Sequence, residues 1–330
     1  MQVMIGIKSH GRIIQPRVDK IRLKSLAVLA LVVLLSLEGK AVLTAMQRSL
    51  RLCAGTIIPA LFPYLAASEL LVSSGAGERL ARKISAPIRA LFGISPCGAV
   101  VYLMGVVCGF PVGASMAAAY VRCGKLSRRE QESLLCFCNV PSAAFVVNAV
   151  GVSLYGDLTL GWRLWCISLI SAALVGVVCR FVLLRSAAPL PEPRQNFVTS
   201  SVRDGNPLSR AAMGMLSVVS TVLFFGALLG ALCAAAQRVV PVDGTAWGEL
   251  SALFSATLEM SSGVCAIAAL PRTYSVALCA AALGWGGVSV QYQLLSASGG
   301  EISRRGKVGF WIARLAQAAL CAAGAWLWKL

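Results

Sequence analysis

The sequence holds a single histidine, His10, and only 13 acidic residues. Imidazole is the side chain that most often moves protons or binds metals near neutral pH. A chain with one copy, set in a basic tail, has no material for that chemistry. The patterns H-E-x-x-H, G-x-S-x-G and C-x-x-C are missing too, which removes zincin, serine-hydrolase and dithiol-redox sites. We therefore expect no enzyme activity and no cofactor.

Charge is equally scarce, at 13% of residues against about a quarter in a soluble domain. What fills the space is apolar: 58% of the 330 residues are hydrophobic, in runs that recur from Ser25 to the C-terminus. The fold class expected is an all-α polytopic membrane protein. Its 30 Lys and Arg sit between the runs, the arrangement of loops held on one side by the positive-inside rule. The basic clusters carry no interleaved aromatics, so membrane lipid is expected as a partner and nucleic acid is not. The 12 cysteines are scattered singly through apolar runs, with no metal-site spacing, and are assigned as small core residues. Oligomeric state is not legible.

Lys8 to Lys24 carries six basic residues, and residues 1–24 form a cytoplasmic tail. The run SLAVLALVVLLSL (Ser25–Leu37) has 13 residues, short of the ~20 that span a bilayer. No A-x-A cleavage site follows, so it is taken as a short uncleaved span lengthened by snorkelling Lys20, Arg22 and Lys24. Leu52 to Gly77 is long enough to cross. ERLARKISAPIR (Glu78–Arg89) alternates apolar and basic residues as an interfacial helix would. RSAAPLPEPRQNFVTSSVRDGNPLSR is polar and proline-rich, a linker over 185–210 between a first membrane half, 25–184, and a second, 211–330.

The segment GFPVG (Gly109–Gly113) interrupts a run without charge from Ala90 to Val121. Glycine and proline are poor helix formers, and irregular backbone at membrane depth survives only against protein or a water-filled cavity. Basic residues flank the run on both sides, so a full crossing would violate the positive-inside rule. A re-entrant hairpin satisfies both conditions: the chain enters as a short helix, turns near Gly109–Gly113 and returns. GWGG (Gly284–Gly287) breaks a second uncharged run, and NVPS (Asn139–Ser142) a third.

Three pairs of segments match in order. PCGAVVYLMGVVCGFPVG from Pro96 sits beside PRTYSVALCAAALGWGGV from Pro271, at an offset of 175. GKLSRRE from Gly124 matches GEISRRG from Gly300, and WCISLISAAL from Trp165 matches WIARLAQAAL from Trp311 at an offset of 146. Two related halves with broken or re-entrant hairpins are the expectation, with substrate at their interface. Two signals disagree about direction. Basic flanks place both hairpins on the cytoplasmic side, whereas inverted halves would open them on opposite sides.

Backbone N–H groups at hairpin tips and half-helix N-termini favour an anion. The candidates are Gly109, Phe110, Pro111, Gly113 and Ser115 in the first break, and Gly284, Gly286, Gly287, Ser289 and Gln291 in the second. Asn139 and Ser142 flank Pro141; they bond either a solute or freed backbone. Glu259, in LEMSSG, is the most expensive residue, at ~2.5 kcal/mol or more for an acid inside a span. It either couples H+ or Na+ to transport, with Ser261 and Ser262 bonding solute, or pairs with Arg163 or Arg314. Glu69 is nearer the basic interface, within reach of Arg79 or Arg82.

GFPVGA, NVPSAAF, LEMSSG and GWGGVSVQYQ resemble the sporulation integral membrane protein YlbJ family, with its Gate or nucleoside-recognition domains, over Leu52 to Trp328. That resemblance implies a transporter-like protein, similar in plan to concentrative nucleoside carriers, that moves a small anionic solute. The solute implied is dipicolinate, at the outer forespore membrane during sporulation. Met260 departs from the polar residue usual after the glutamate. A non-transporting scaffold for spore assembly and a nucleoside transporter are the alternatives.

Overall fold

The computed structural model describes residues 15–184, 206–239, 244–299 and 302–329. The first 14 residues of the basic tail and most of the linker, 185–205, lie outside the described residues. The rest is helical, with no strand among the described residues.

Five helices are long and apolar enough to cross a membrane: Gly39–Ala67, Leu158–Val182, Pro207–Val239, Arg272–Ala297 and Arg304–Leu327. Their outward faces are what hydrocarbon requires. On α8 (Leu158–Val182), Ile170, Leu174, Val178 and Phe181 are exposed while Leu164, Ile167 and Val175 are buried, so the helix is apolar all round.

The basic tail leads into α1 (Gln15–Leu37), whose described outer residues, Leu26, Val28 and Leu29, are exposed. The next span comprises α2 (Gly39–Leu52), a π-helical turn at Cys53–Ile57 and α3 (Ile58–Ser73). It begins earlier than Leu52, because the basic residues Lys40, Arg48 and Arg51 are taken into the helix. Then α4 (Ala76–Phe92) lies across the direction of α5 (Pro96–Cys108), at 97° between Lys83–Phe92 and Pro96–Cys108. An interfacial helix is the expectation for this segment, and the bend sets it across α5.

The first hairpin is as expected. Helix α5 runs beside α7 (Arg128–Phe137): Ser95 N donates to Glu130 Oε1 at 2.6 Å near their starts, and Gly105 packs on the Cys138 carbonyl near their ends. Helix α6 (Val112–Arg122) folds back along α5, with Gly113 against Gly105. Both ends of the hairpin therefore lie on one face with Arg122, Lys125, Arg128 and Arg129, called the basic face below.

From that face α7 and the π-helical stretch Ala144–Leu154 run across together, broken at residues 138–143. Helix α8 returns antiparallel, with Gly161 on Gly151 and Gly176 on Phe137. Helix α9 (Pro207–Val239) crosses back: Arg210 at its start pairs with Glu69 at 2.8 Å, and Arg238 at its end with Glu38 at 2.6 Å. Glu69 thus meets an arginine of the second half.

A second hairpin follows where none was expected. Helices α10 (Gly244–Leu258) and α11 (Met260–Ala268) are joined by Glu259 alone and pressed together, since a Cβ on Gly263 would strike the Ala256 backbone. This hairpin opens on the far face, where Arg272 meets Asp157 at 3.5 Å. Helices α12 (Arg272–Trp285) and α13 (Gly287–Ala297) then form one broken span of 26 residues back to the basic face. There Gln131 Nε2 donates to the Ser298 carbonyl at 2.9 Å. Helix α14 (Arg304–Leu327) lies antiparallel to α8, with Gly309 by Leu183 and Gly324 by Ile167.

The order hairpin, broken span, long helix therefore occurs twice, in opposite directions. The offset of 146 pairs α8 with α14, whereas 175 sets a hairpin beside a through-going span. The paired S-R-R segments have a local explanation. Ser127 and Ser303 each cap a helix that starts on the basic face, accepting from Glu130 N at 3.1 Å and Gly306 N at 3.0 Å. Capping and the positive-inside rule select that pattern independently. The directional conflict dissolves as well: the hairpin inverted with respect to α5–α6 is α10–α11, and GWGG lies in a crossing span.

Candidate functional site between two hairpin tips

The two tips approach each other from opposite faces and enclose a cavity of about 390 Å³. The first contributes Val107, Cys108 and Phe110, and the second Glu259, Met260 and Ser261. Between them the broken spans present Ser142 and Ser289, and α3 and α9 close the wall with Leu61, Tyr64, Val218 and Val222. The lining is mainly apolar with a few convergent polar groups, the usual make-up of a small-molecule site. Among the described residues the lining has one carboxylate and no Lys or Arg.

Each tip is fastened to a broken span by a glycine. Gly109 has φ +74°, and a Cβ there would lie 2.8 Å from Ser142 N; Gly287 has φ +71°, and its Cβ would lie 2.8 Å from Met260 N. Both positions demand a left-handed conformation and a close backbone approach, which only glycine meets cheaply. The free N–H groups at the two tips are satisfied differently. Asn139 Oδ1 reaches across from the first broken span to accept from Ala114 N in α6, at 3.1 Å. In α11 the acceptor is local: Glu259 caps its own helix, Oε1 taking Ser261 N at 2.9 Å and Oε2 taking Ser262 N at 2.6 Å.

That cap explains how an acid survives at depth. Glu259 is 2% exposed, and two backbone donors at a helix N-terminus offset part of the cost of burying its charge. Neither Arg163 nor Arg314 pairs with it among the described residues. Arg314, also buried, donates instead to the Asn139 carbonyl at 3.1 Å and the Cys136 carbonyl at 3.3 Å. A cation there sits where α7 ends and its carbonyls lack helical partners.

Of the residues singled out in the sequence, Phe110, Ser142, Glu259, Ser261 and Ser289 line this cavity. Ser289 is fully buried and its hydroxyl has no partner among the described residues. Ser262 faces a different cavity, on the far face. Gly109, Pro111, Gly113 and Gly287 shape the tips without lining the space. Asn139 is used internally, Gly284 packs on Gln317 and Ala318 of α14, and Gln291 donates to the Trp285 carbonyl at 3.2 Å. Ser115 and Gly286 lie outside the lining too. Trp285 stacks near Trp311, with ring centroids 5.7 Å apart, and donates to the Thr257 carbonyl, so it braces α10 rather than walling the chamber opposite Phe110. Tyr64, Val218 and Val222 escaped sequence reading, since nothing local marks a residue that reaches a site only through packing.

No group of three or more potential metal ligands occurs among the described residues. No family model matches the chain, and no solved structure does. Among curated proteins it is similar to the sporulation integral membrane protein YlbJ of Bacillus subtilis (strain 168), at 29% identity over 124 residues. The match covers 38% of this chain and 30% of that protein, so it spans less than a third of the relative's length. The similarity supports the resemblance carried by the four motifs, and together with the apolar helices it supports a multi-pass integral membrane protein.

Proposed function

We propose that the protein transports a small planar solute through the cavity between the two hairpin tips, with dipicolinate at the outer forespore membrane as the substrate that the resemblance suggests. The supporting observation is the pair of hairpins opening on opposite faces and meeting at one chamber. Inverted, interrupted segments around a central site are the plan by which many carriers expose that site alternately to each side. On this reading the two units are inverted copies, and the tips are the thin gates.

The lining sets conditions on the solute. A dianion entering a space that already holds Glu259 and no cation is opposed by like charge. Movement of dipicolinate therefore requires H+ or Na+ at Glu259, which makes that carboxylate the coupling site. The absence of Lys and Arg from the described lining favours a second solute class, an uncharged heterocycle such as a nucleoside. Ser142, Ser289 and the Tyr64 hydroxyl supply donors and acceptors for either.

Uptake of labelled dipicolinate and labelled uridine into vesicles holding the purified protein, under imposed H+ or Na+ gradients, separates the readings. Dipicolinate uptake above empty vesicles that depends on one gradient supports the first, and uridine uptake alone supports the second. No uptake of either under any gradient returns the protein to the scaffold alternative.

A further inference from the structure

A larger cavity, about 890 Å³, opens on the far face between α2, α9, α10 and α11. Its wall on α2 is a single stripe, Lys40, Ala41, Thr44, Ala45, Arg48 and Ser49, three- and four-residue steps of one helix face. Arg48 lies nine residues inside the start of the span, ~13 Å along the axis at 1.5 Å per residue. A charge at that depth needs a partner or a water-filled space. Among the described lining residues the single acid is Glu38, and Arg238 from α9 holds both its oxygens, at 2.6 and 2.8 Å. Lys40 and Arg48 have no acid partner there, so among the described lining residues the cations outnumber the acids by two.

The floor of this cavity is formed by Ser255, Ser262 and Cys265. Ser262 and Ser261 are neighbours whose N–H groups are bound by the two oxygens of Glu259, yet Ser262 faces the far-face cavity and Ser261 the central one. The capped turn of α11 thus gives one residue to each space.

We propose that the far-face cavity is a binding site for small carboxylate or phosphate anions, held by Lys40 and Arg48, and that it delivers them to the α11 turn. The delivery half rests on the transport reading above; the binding half does not. A cleft whose net charge is of one sign concentrates the opposite ion ~10-fold or more, which offsets the repulsion an anion meets at Glu259.

Two native thiols in the cavity, Cys233 and Cys265, are half-buried and report its potential directly. The reconstituted full chain is treated with anionic and cationic methanethiosulfonates of equal size, and the rate at each cysteine is read by peptide mass spectrometry. Exposed Cys123 on the basic face is the reference, and fully buried Cys97 and Cys138 report on folding. The expected result is a preference for the anionic reagent at Cys233 that falls ~10-fold in the Lys40→Gln, Arg48→Gln double variant. The Lys40→Arg, Arg48→Lys variant should keep the preference. A ratio near one, or one unmoved by the double variant while Cys97 and Cys138 stay unlabelled, overturns the proposal.

A phospholipid headgroup has the same anionic chemistry. Protection of Cys233 by dipicolinate in pure phosphatidylcholine vesicles supports a solute site, while protection only by added phosphatidylglycerol overturns it in favour of lipid. Labelling as expected in a protein that carries nothing upholds the anion site and sinks the transport reading alone. Uptake unchanged in the double glutamine variant, at limiting solute and low salt, overturns delivery through this cavity.

Discussion

The two hairpins do the same geometric job with different chemistry. The α5–α6 turn is three residues of glycine, phenylalanine and proline, and its returning helix takes its acceptor from Asn139, 25 residues away in another span. The α10–α11 turn is one residue, and that residue caps its own helix. The first tip is therefore tied to its surroundings by a side chain. The second carries its own cap with it, and its neighbour holds it through the Gly287 backbone contact and the Trp285 bond to the Thr257 carbonyl. If one hairpin moves while the other stays, the self-capped one keeps its helix cap intact in doing so.

Substitutions can break that contrast in graded ways. The largest effect is expected from Glu259→Ala, which strands two buried N–H groups at a cost of ~1–3 kcal/mol each and removes the coupling carboxylate. Uptake should fall below detection, and the detergent-solubilised protein should melt earlier by fluorescence-detected size exclusion. Glu259→Gln keeps one cap acceptor, so its melting should lie between the two while gradient-driven uptake is still lost. Next come Gly109→Ala and Gly287→Ala. Each adds a Cβ to a left-handed residue already in close backbone contact, with a loss of ~2 kcal/mol or more. Equal damage at the two positions in thermal melts would show that both tips are clamped alike and would erase the asymmetry in one respect.

Asn139→Ala should cost ~1–2 kcal/mol through the unpaired Ala114 N–H. Asn139→Asp, which keeps an acceptor, should recover part of it. If Asn139→Ala harms uptake no more than it harms melting, the first tip is a fixed wall, as its tether implies. The smallest structural effect belongs to Ser289→Ala, within ~0.5 kcal/mol because the hydroxyl has no protein partner. Its signature is a raised KM with melting unchanged, and no change in KM would remove Ser289 from the solute's contacts.

The first hairpin was legible because two independent signals coincide on it: a glycine-proline break in an apolar run, and basic residues on both flanks. The second left neither. Its break is one residue, ATLEMSSG contains no proline and no glycine at the turn, and the conspicuous GWGG downstream drew attention to a span that only opens and continues. Glu259 stood out by its cost, yet cost alone does not distinguish a coupling group from a cap, and here the same carboxylate lines the chamber and caps α11. The stripe of Lys40 and Arg48 was hidden for a different reason. No role is assigned to α2 from the sequence, and only packing against α9, with Gly226 and Gly230 letting Ser49 and Ala45 approach, turns it into the wall of a cavity.

The Arg314 contact sets an order on biosynthesis. The carbonyls it binds at Cys136 and Asn139 precede it by 178 and 175 residues. At ~5–20 residues per second, a ribosome needs roughly 10–35 s to supply the guanidinium after the gap in α7 has emerged. For that interval those oxygens must borrow water or a translocon surface, so the first half is a half-finished product until the last helix is threaded beside it.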